Sequence, residues 1–144
     1  MASFRQDAKV LALKKLPLFE TLSRPQLVKV ARMSEDVDVP AGRVLCTEGS
    51  RGEEFFVITE GEARVVRGNR RLATLGAGDF FGEIAVLEPM TRTATVTAVT
   101  PLRFFVVTRQ SFKHLLDDNP EIERKVLRTL ARRLASLSRD PSLG

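Results

Sequence analysis

Helical and strand-like periodicities occupy separate blocks along the 144 residues. Asp7 to Leu16 reads as a short amphipathic helix carrying Val10, Leu11 and Leu13, and Pro17 ends it. In Leu22-Ser23-Arg24-Pro25-Gln26-Leu27, Ser23 with Gln26 three residues on is a capping box, and Leu22 and Leu27 can staple around it. The spacing predicts a helix over Arg24 to Met33 with Leu27, Val30 and Ala31 inward. From Val37 the pattern turns strand-like, in short runs punctuated by glycine: Arg43 to Thr47, Glu54 to Thr59, Ala63 to Arg67, Arg70 to Leu75, Thr93 to Val99 and Leu102 to Thr108. Gly68-Asn69 separates two runs by two residues, a tight-hairpin signal. Helical pattern returns after Thr108. Asn119-Pro120 marks a start, with Asn as N-cap, Pro at N1, and Glu121 and Glu123 near the positive end of the helix. The last helix carries Ile122, Val126, Leu127, Leu130, Leu134 and Leu137, and a leucine seam runs from Leu127 onward at spacings of three, four and three. The architecture expected is mainly β with flanking helices (α+β): an antiparallel roll or jelly-roll barrel between N-terminal and C-terminal helices.

Composition narrows the chemistry. No apolar run approaches the ~20 residues a membrane span needs, and residues 1–15 lack the apolar stretch and cleavage site of a signal peptide. A soluble cytoplasmic protein is expected. The one cysteine, Cys46, excludes an internal disulfide or a thiolate-cluster metal site, and no metal site is expected. The single histidine, His114, lies in a surface helix turn and is a poor general base, so an enzyme is disfavoured. With neither tryptophan nor tyrosine, nucleic-acid stacking would fall to nine phenylalanines alone. The formal charge of +5 sits at the ends. Residues 1–35 carry seven basic and three acidic side chains and residues 119–144 six and three, whereas residues 36–118 carry ten and twelve. Such ends can bind a polyanion, but they also read as solvated helix faces.

The informative stretch is Gly76 to Val96. It fails as a dinucleotide-binding G-x-G-x-x-G motif, because Phe81 stands where the third glycine is required. Gly82 permits an unusual backbone angle before Glu83 to Leu87, a run with room for little more than one helical turn before Pro89. The N–H groups opening such a helix attract an anion. Arg92 adds a guanidinium fork suited to phosphate, and Glu83 can accept the hydroxyl protons of a sugar. Together they describe a pocket for one phosphate and one ribose, although a surface Glu–Arg pair beside a glycine turn has the same letters.

Phe81-Gly82-Glu83-Ile84-Ala85-Val86-Leu87 followed by Arg92-Thr93-Ala94-Thr95-Val96 resembles the phosphate-binding cassette (81–96) of the cyclic nucleotide-binding domain family, F-G-E-[LI]-A-L then R-[AT]-A-[TS]-V. Glu48-Gly49, Phe55-Phe56-Val57-Ile58 and Glu60-Gly61 are similar to the same family's turn-and-strand pattern. Gly42, Gly49, Gly61, Gly78 and Gly82 fall where its β-roll turns do, and the resemblance covers about residues 16–137. It implies one domain: an N-terminal helical element (1–35), a β-roll (36–108), and C-terminal hinge and lid helices (109–140). It also implies roles. Glu83, helped by the Gly82 backbone, would bind the ribose 2′-hydroxyl and Arg92 the exocyclic phosphate oxygens. The N–H groups of Ile84 and Ala85 would complete the anion site, and Thr93 would reach the phosphate or the base. The base would lie against the roll interior, with Val65, Leu75 and Phe81 as candidates. Leu130 and Leu134 are candidate base caps on the last helix.

The resemblance implies cyclic AMP as ligand, with cyclic GMP the alternative because Thr93 can reach a guanine amino group, and no cofactor. Seventeen arginines against six lysines suggest a GC-rich bacterial source. The DNA-recognition helices, membrane spans and kinase domains that accompany this module elsewhere do not follow within the sequence, so a free-standing sensor, or the regulatory piece of a larger assembly, is expected. Its C-terminal helix would move on binding and signal to a protein partner, its leucine seam either packing on residues 7–33 or being offered outward; a weak homodimer could form there. The competing readings are a ligand-free interaction module and a nucleic-acid binder using the basic terminal helices.

Overall fold

The computed structural model describes residues 2–83 and 91–138, with side chains over 6–83 and 91–136. Helices α1 (Ala2–Lys14) and α2 (Arg24–Met33) precede eight strands: β1 (Ser34–Val39), β2 (Val44–Cys46), β3 (Glu54–Glu60), β4 (Ala63–Arg67), β5 (Arg70–Leu75), β6 (Phe80–Phe81), β7 (Thr95–Ala98) and β8 (Leu102–Thr108). Helices α3 (Arg109–Asp118) and α4 (Pro120–Ser138) follow. The strands pair antiparallel into two four-stranded sheets, ordered β1-β8-β3-β6 and β2-β7-β4-β5, the jelly-roll arrangement.

The runs Phe55-Phe56-Val57-Ile58 and Phe104-Phe105-Val106-Val107 are apolar at every position because their strands are covered on both faces. Phe55, Val57, Phe105 and Val107 point into a core shared with Leu13, Leu27, Phe112, Ile122 and Val126 of the helices. Phe56, Ile58, Phe104 and Val106 point the other way, into a core shared with Cys46, Ala63, Leu75, Val96 and Ala98 of the second sheet. β6 divides its two residues likewise, Phe80 to the helical side and Phe81 to the roll side. Stacked rings add to both cores: Phe55 lies 4.0 Å from Phe112 of α3, and Phe56 4.6 Å from Phe81 on the neighbouring strand.

Local signals decide the element ends. The Ser23 side chain accepts from the Gln26 N–H while Gln26 Oε1 accepts from the Ser23 N–H at 2.8 Å, the reciprocal pair of a capping box. Leu22 and Leu27 are both buried beside it. The Gly68-Asn69 turn joins β4 to β5 with Arg67 opposite Arg70. At the β3–β4 turn Gly61 has φ +93°, and a Cβ there would stand 2.2 Å from the Pro101 carbonyl oxygen.

Several boundaries differ from the sequence pattern. α1 begins five residues before Asp7 and stops at Lys14, where a turn closed by the Leu16 N–H on the Leu13 carbonyl takes over. β1 begins at Ser34 rather than Val37, because six-residue pairing with β8 recruits polar Glu35 and Asp36 at the rim. The two-residue strand β6 has no period to detect. Asn119 sits between α3 and α4 as expected, but its side chain does not cap α4: Nδ2 donates to the Leu115 carbonyl at 2.9 Å and Oδ1 accepts from Gln26 Nε2 at 3.1 Å. The junction is thereby tied to the start of α2. Among the described residues no helix is long and apolar enough to cross a membrane.

Candidate functional site

A cavity of about 230 Å³ opens in the second sheet between β5, β7, the end of β6 and α4. Its wall is apolar, with Val65, Leu72, Ala73, Leu75, Phe81 and Val96. Polar groups gather at one end, where Gly82, Glu83, Arg92 and Thr93 meet Arg133 and Ser136 of α4. An apolar slot with a few convergent polar groups is the usual form of a small-molecule site.

Backbone pairing places Arg92. The Gly49 N–H donates to the Arg92 carbonyl at 2.9 Å, and the Arg92 N–H donates to the Ser50 carbonyl at 2.7 Å, pinning the chain before β7 to the loop after β2. The Arg92 side chain is 7% exposed. Its Nη1 donates to the Gly82 carbonyl at 3.2 Å, its Nη2 to the Glu54 carbonyl at 3.0 Å, and its guanidinium lies 5.7 Å from the centre of the Phe56 ring. Among the described residues no carboxylate pairs with it. A buried cation whose acceptors are neutral carbonyls retains most of its charge for an anion. Gly82 makes this packing possible. It has φ +89°, and a Cβ would lie 2.7 Å from the Glu54 carbonyl oxygen and 2.8 Å from Arg92 Nη1.

Glu83 is buried beside it, 3% exposed. Arg133 of α4 donates through Nη1 to Glu83 Oε1 at 2.7 Å and through Nη2 to the Phe80 carbonyl, and its guanidinium lies 5.0 Å from the Phe80 ring centre. Burial pushes the Glu83 carboxyl above its ordinary value; Arg133, a backbone hydrogen bond and Arg92 pull against it. Cys46 also lines the cavity, and burial raises its thiol to about 11, against the pull of Arg92, so it stays protonated and a poor nucleophile at neutral pH.

The sequence profile of the cyclic nucleotide-binding domain matches residues 36–119. This chain belongs to the cyclic nucleotide-binding domain family. It is 30% identical over 122 residues to a CRP-like cAMP-activated global transcriptional regulator of Mycobacterium tuberculosis, covering 81% of this chain and 54% of that protein. It is 39% identical over 113 residues to a cAMP-dependent protein kinase regulatory subunit of Eremothecium gossypii, covering 78% and 25%. Among solved structures, cAMP-bound PfPKA-R superposes with a TM-score of 0.86 at 26% identity, over 98% of this chain and 50% of that one. The catabolite activator protein of Thermus thermophilus gives 0.76 at 26% identity, over 85% and 60%. The chain therefore spans from a quarter to about half the length of these curated relatives.

Within this cyclic nucleotide-binding domain the structure gathers Gly82, Glu83, Arg92, Thr93, Phe81, Val65 and Leu75 around one cavity. Ile84 and Ala85, with the short helix expected over 83–87, lie outside the described residues beyond Glu83. The two lid candidates do not reach the cavity. Leu130 packs against the helical core and Leu134 is 69% exposed. Arg133, one residue before Leu134, and Ser136, two after it, stand there instead, because the helical phase turns Leu130 and Leu134 aside. The buried stripe of α4 is Ile122 and Val126, and Arg133 continues it two turns after Val126. An arginine in the phase of buried apolar residues was the available signal, which the leucine seam obscured. Leu72, Ala73 and Cys46 carry no comparable mark; strand pairing alone brings them to the wall.

Proposed function

We propose that this domain is a cyclic nucleotide receptor, with cyclic AMP as its ligand, and that it regulates a partner rather than catalysing a reaction in the cytoplasm. The observation carrying the reading is Arg92, a buried guanidinium with only neutral acceptors among the described residues, facing a cavity that also holds a buried carboxylate. The cyclic phosphate pairs with Arg92. One ribose hydroxyl donates to the second oxygen of Glu83, whose Oε1 Arg133 holds. The base lies along Val65, Leu72 and Leu75, within reach of the Thr93 and Ser136 hydroxyls. The relatives named as cAMP-activated, or solved with cAMP bound, support this ligand over cyclic GMP.

The same contacts give a route outward. Ribose and α4 share one carboxylate, so a nucleotide that orders Glu83 also favours the docked position of α4 through Arg133. A ligand shifts such an equilibrium only by its differential affinity, about tenfold for each 1.4 kcal/mol. The test is calorimetric titration of nucleotide-stripped protein with cyclic AMP and then cyclic GMP. Saturable micromolar binding with cyclic AMP the tighter is expected. No heat and no thermal stabilisation with either would leave an interaction module.

A further inference from the structure

We infer that the outward face of α4 is a docking surface for an acidic amphipathic helix of a partner protein. Leu127 and Leu134 are 54% and 69% exposed, among the largest uncovered apolar side chains of the described residues. They stand seven residues apart, so they lie on one stripe about 10 Å apart along the axis, with exposed Ala131 between them. The opposite side of α4 is committed: Ile122 and Val126 are buried in the helical core, and Arg133 is held by Glu83. The stripe therefore cannot turn inward without undoing the core and the cavity contact together.

Charge selects the occupant. Arg124 and Arg128 are exposed along one edge of the stripe, with exposed Arg132 further round the helix, and none of the three forms an ion pair among the described residues. The acidic residues of the helix, Glu121 and Glu123, are confined to its first turn. A second copy is a poor match. Parallel pairing on Leu127, Ala131 and Leu134 places Arg124 against Arg124 in the same seam, a like-charge contact that opposes it. A helix with leucines at heptad spacing and glutamates on its flanks covers the leucines and meets Arg124 and Arg128 with opposite charge. A membrane surface is favoured less, because the stripe is two leucines wide and lacks an aromatic residue.

The surface supplies a partner class for the α4 signalling proposed above, yet it is tested without nucleotide, so either reading can fail alone. Two labelled synthetic helices with the same leucine heptads, one flanked by glutamate and one by lysine, are titrated into the full chain and followed by anisotropy. The glutamate-flanked helix is expected to bind at least about tenfold more tightly. The preference should shrink with salt and in Arg124→Ser/Arg128→Ser. Affinity should fall about tenfold in Leu127→Ser/Leu134→Ser, exposed positions whose circular dichroism should remain unchanged. Equal binding of the two helices, or binding indifferent to the leucine substitutions, would overturn the inference. Dimerisation in sedimentation at tens of micromolar, or leucine-dependent binding to phosphatidylglycerol vesicles, would assign the stripe elsewhere and overturn it too.

Discussion

Arg92 and Glu83 are opposite charges in one cavity with opposite problems. Arg92 is buried with neutral carbonyls as its acceptors, whereas Glu83 is buried and engaged by Arg133. Hydrogen bonds to charged groups contribute roughly 1.5–3 kcal/mol each. Arg92→Ala should therefore weaken cyclic AMP by about ten- to a thousandfold, while circular dichroism of the unliganded variant shows the fold intact. Affinity within twofold of the parent would place the phosphate elsewhere. For Glu83 the sign follows from burial. Its carboxyl is raised in the folded chain, so folding takes up a proton below that value, and its contribution to stability is lost as pH rises through it. Relative to Glu83→Gln, the parent should gain stability as pH falls from 7 towards 5, measured by urea denaturation at each pH; a difference flat with pH contradicts this. Both residues were legible in the sequence because Gly82, Glu83 and Arg92 lie within eleven positions of one another. Arg133, fifty residues away, reaches Glu83 only through the packing of α4.

At the scale of elements, legibility followed periodicity. The capping box of α2, the Gly68-Asn69 hairpin and the apolar runs of β3 and β8 each carry their geometry locally. β6 and the polar start of β1 do not, because pairing with distant strands makes them. α4 was legible as a helix but not in its rotation: six leucine, isoleucine and valine positions fit more than one face, and contacts with α1, α2 and the cavity choose among them. Asn119 shows the same effect, its expected cap contact exchanged for bonds to Leu115 and Gln26. The rotation has a measurable consequence. Arg133→Ala removes the partner of a carboxylate whose side chain is 4% exposed, and the variant should lose about 1–3 kcal/mol. Glu83→Gln in the same chain should restore part of that loss, as residues in contact do. Arg133→Ala should still bind cyclic AMP, but binding should no longer slow amide exchange in residues 126–136, as it is expected to do in the parent. Protection undiminished in the variant would mean that α4 senses the nucleotide by another contact.

In the whole molecule the sheet β1-β8-β3-β6 is common to both cores, one face toward the helices and the other toward the roll. Neither core can lose its side of β3 and β8 without exposing the other. The ends of α4 are linked to different layers: Lys125 Nζ donates to the Pro17 carbonyl at 2.7 Å near its start, and Arg133 reaches Glu83 further on. A ligand in the roll should thus stabilise helices it never touches. At a hundredfold excess over its dissociation constant, linkage gives about 2.7 kcal/mol. Heating should then give one transition, with the helical ellipticity and the amide exchange of β3 and β8 moving to higher temperature together when cyclic AMP is added. If the strand amides shifted and the helical signal stayed, the two cores would be separate folding units, coupled neither by the shared sheet nor by the Arg133–Glu83 contact.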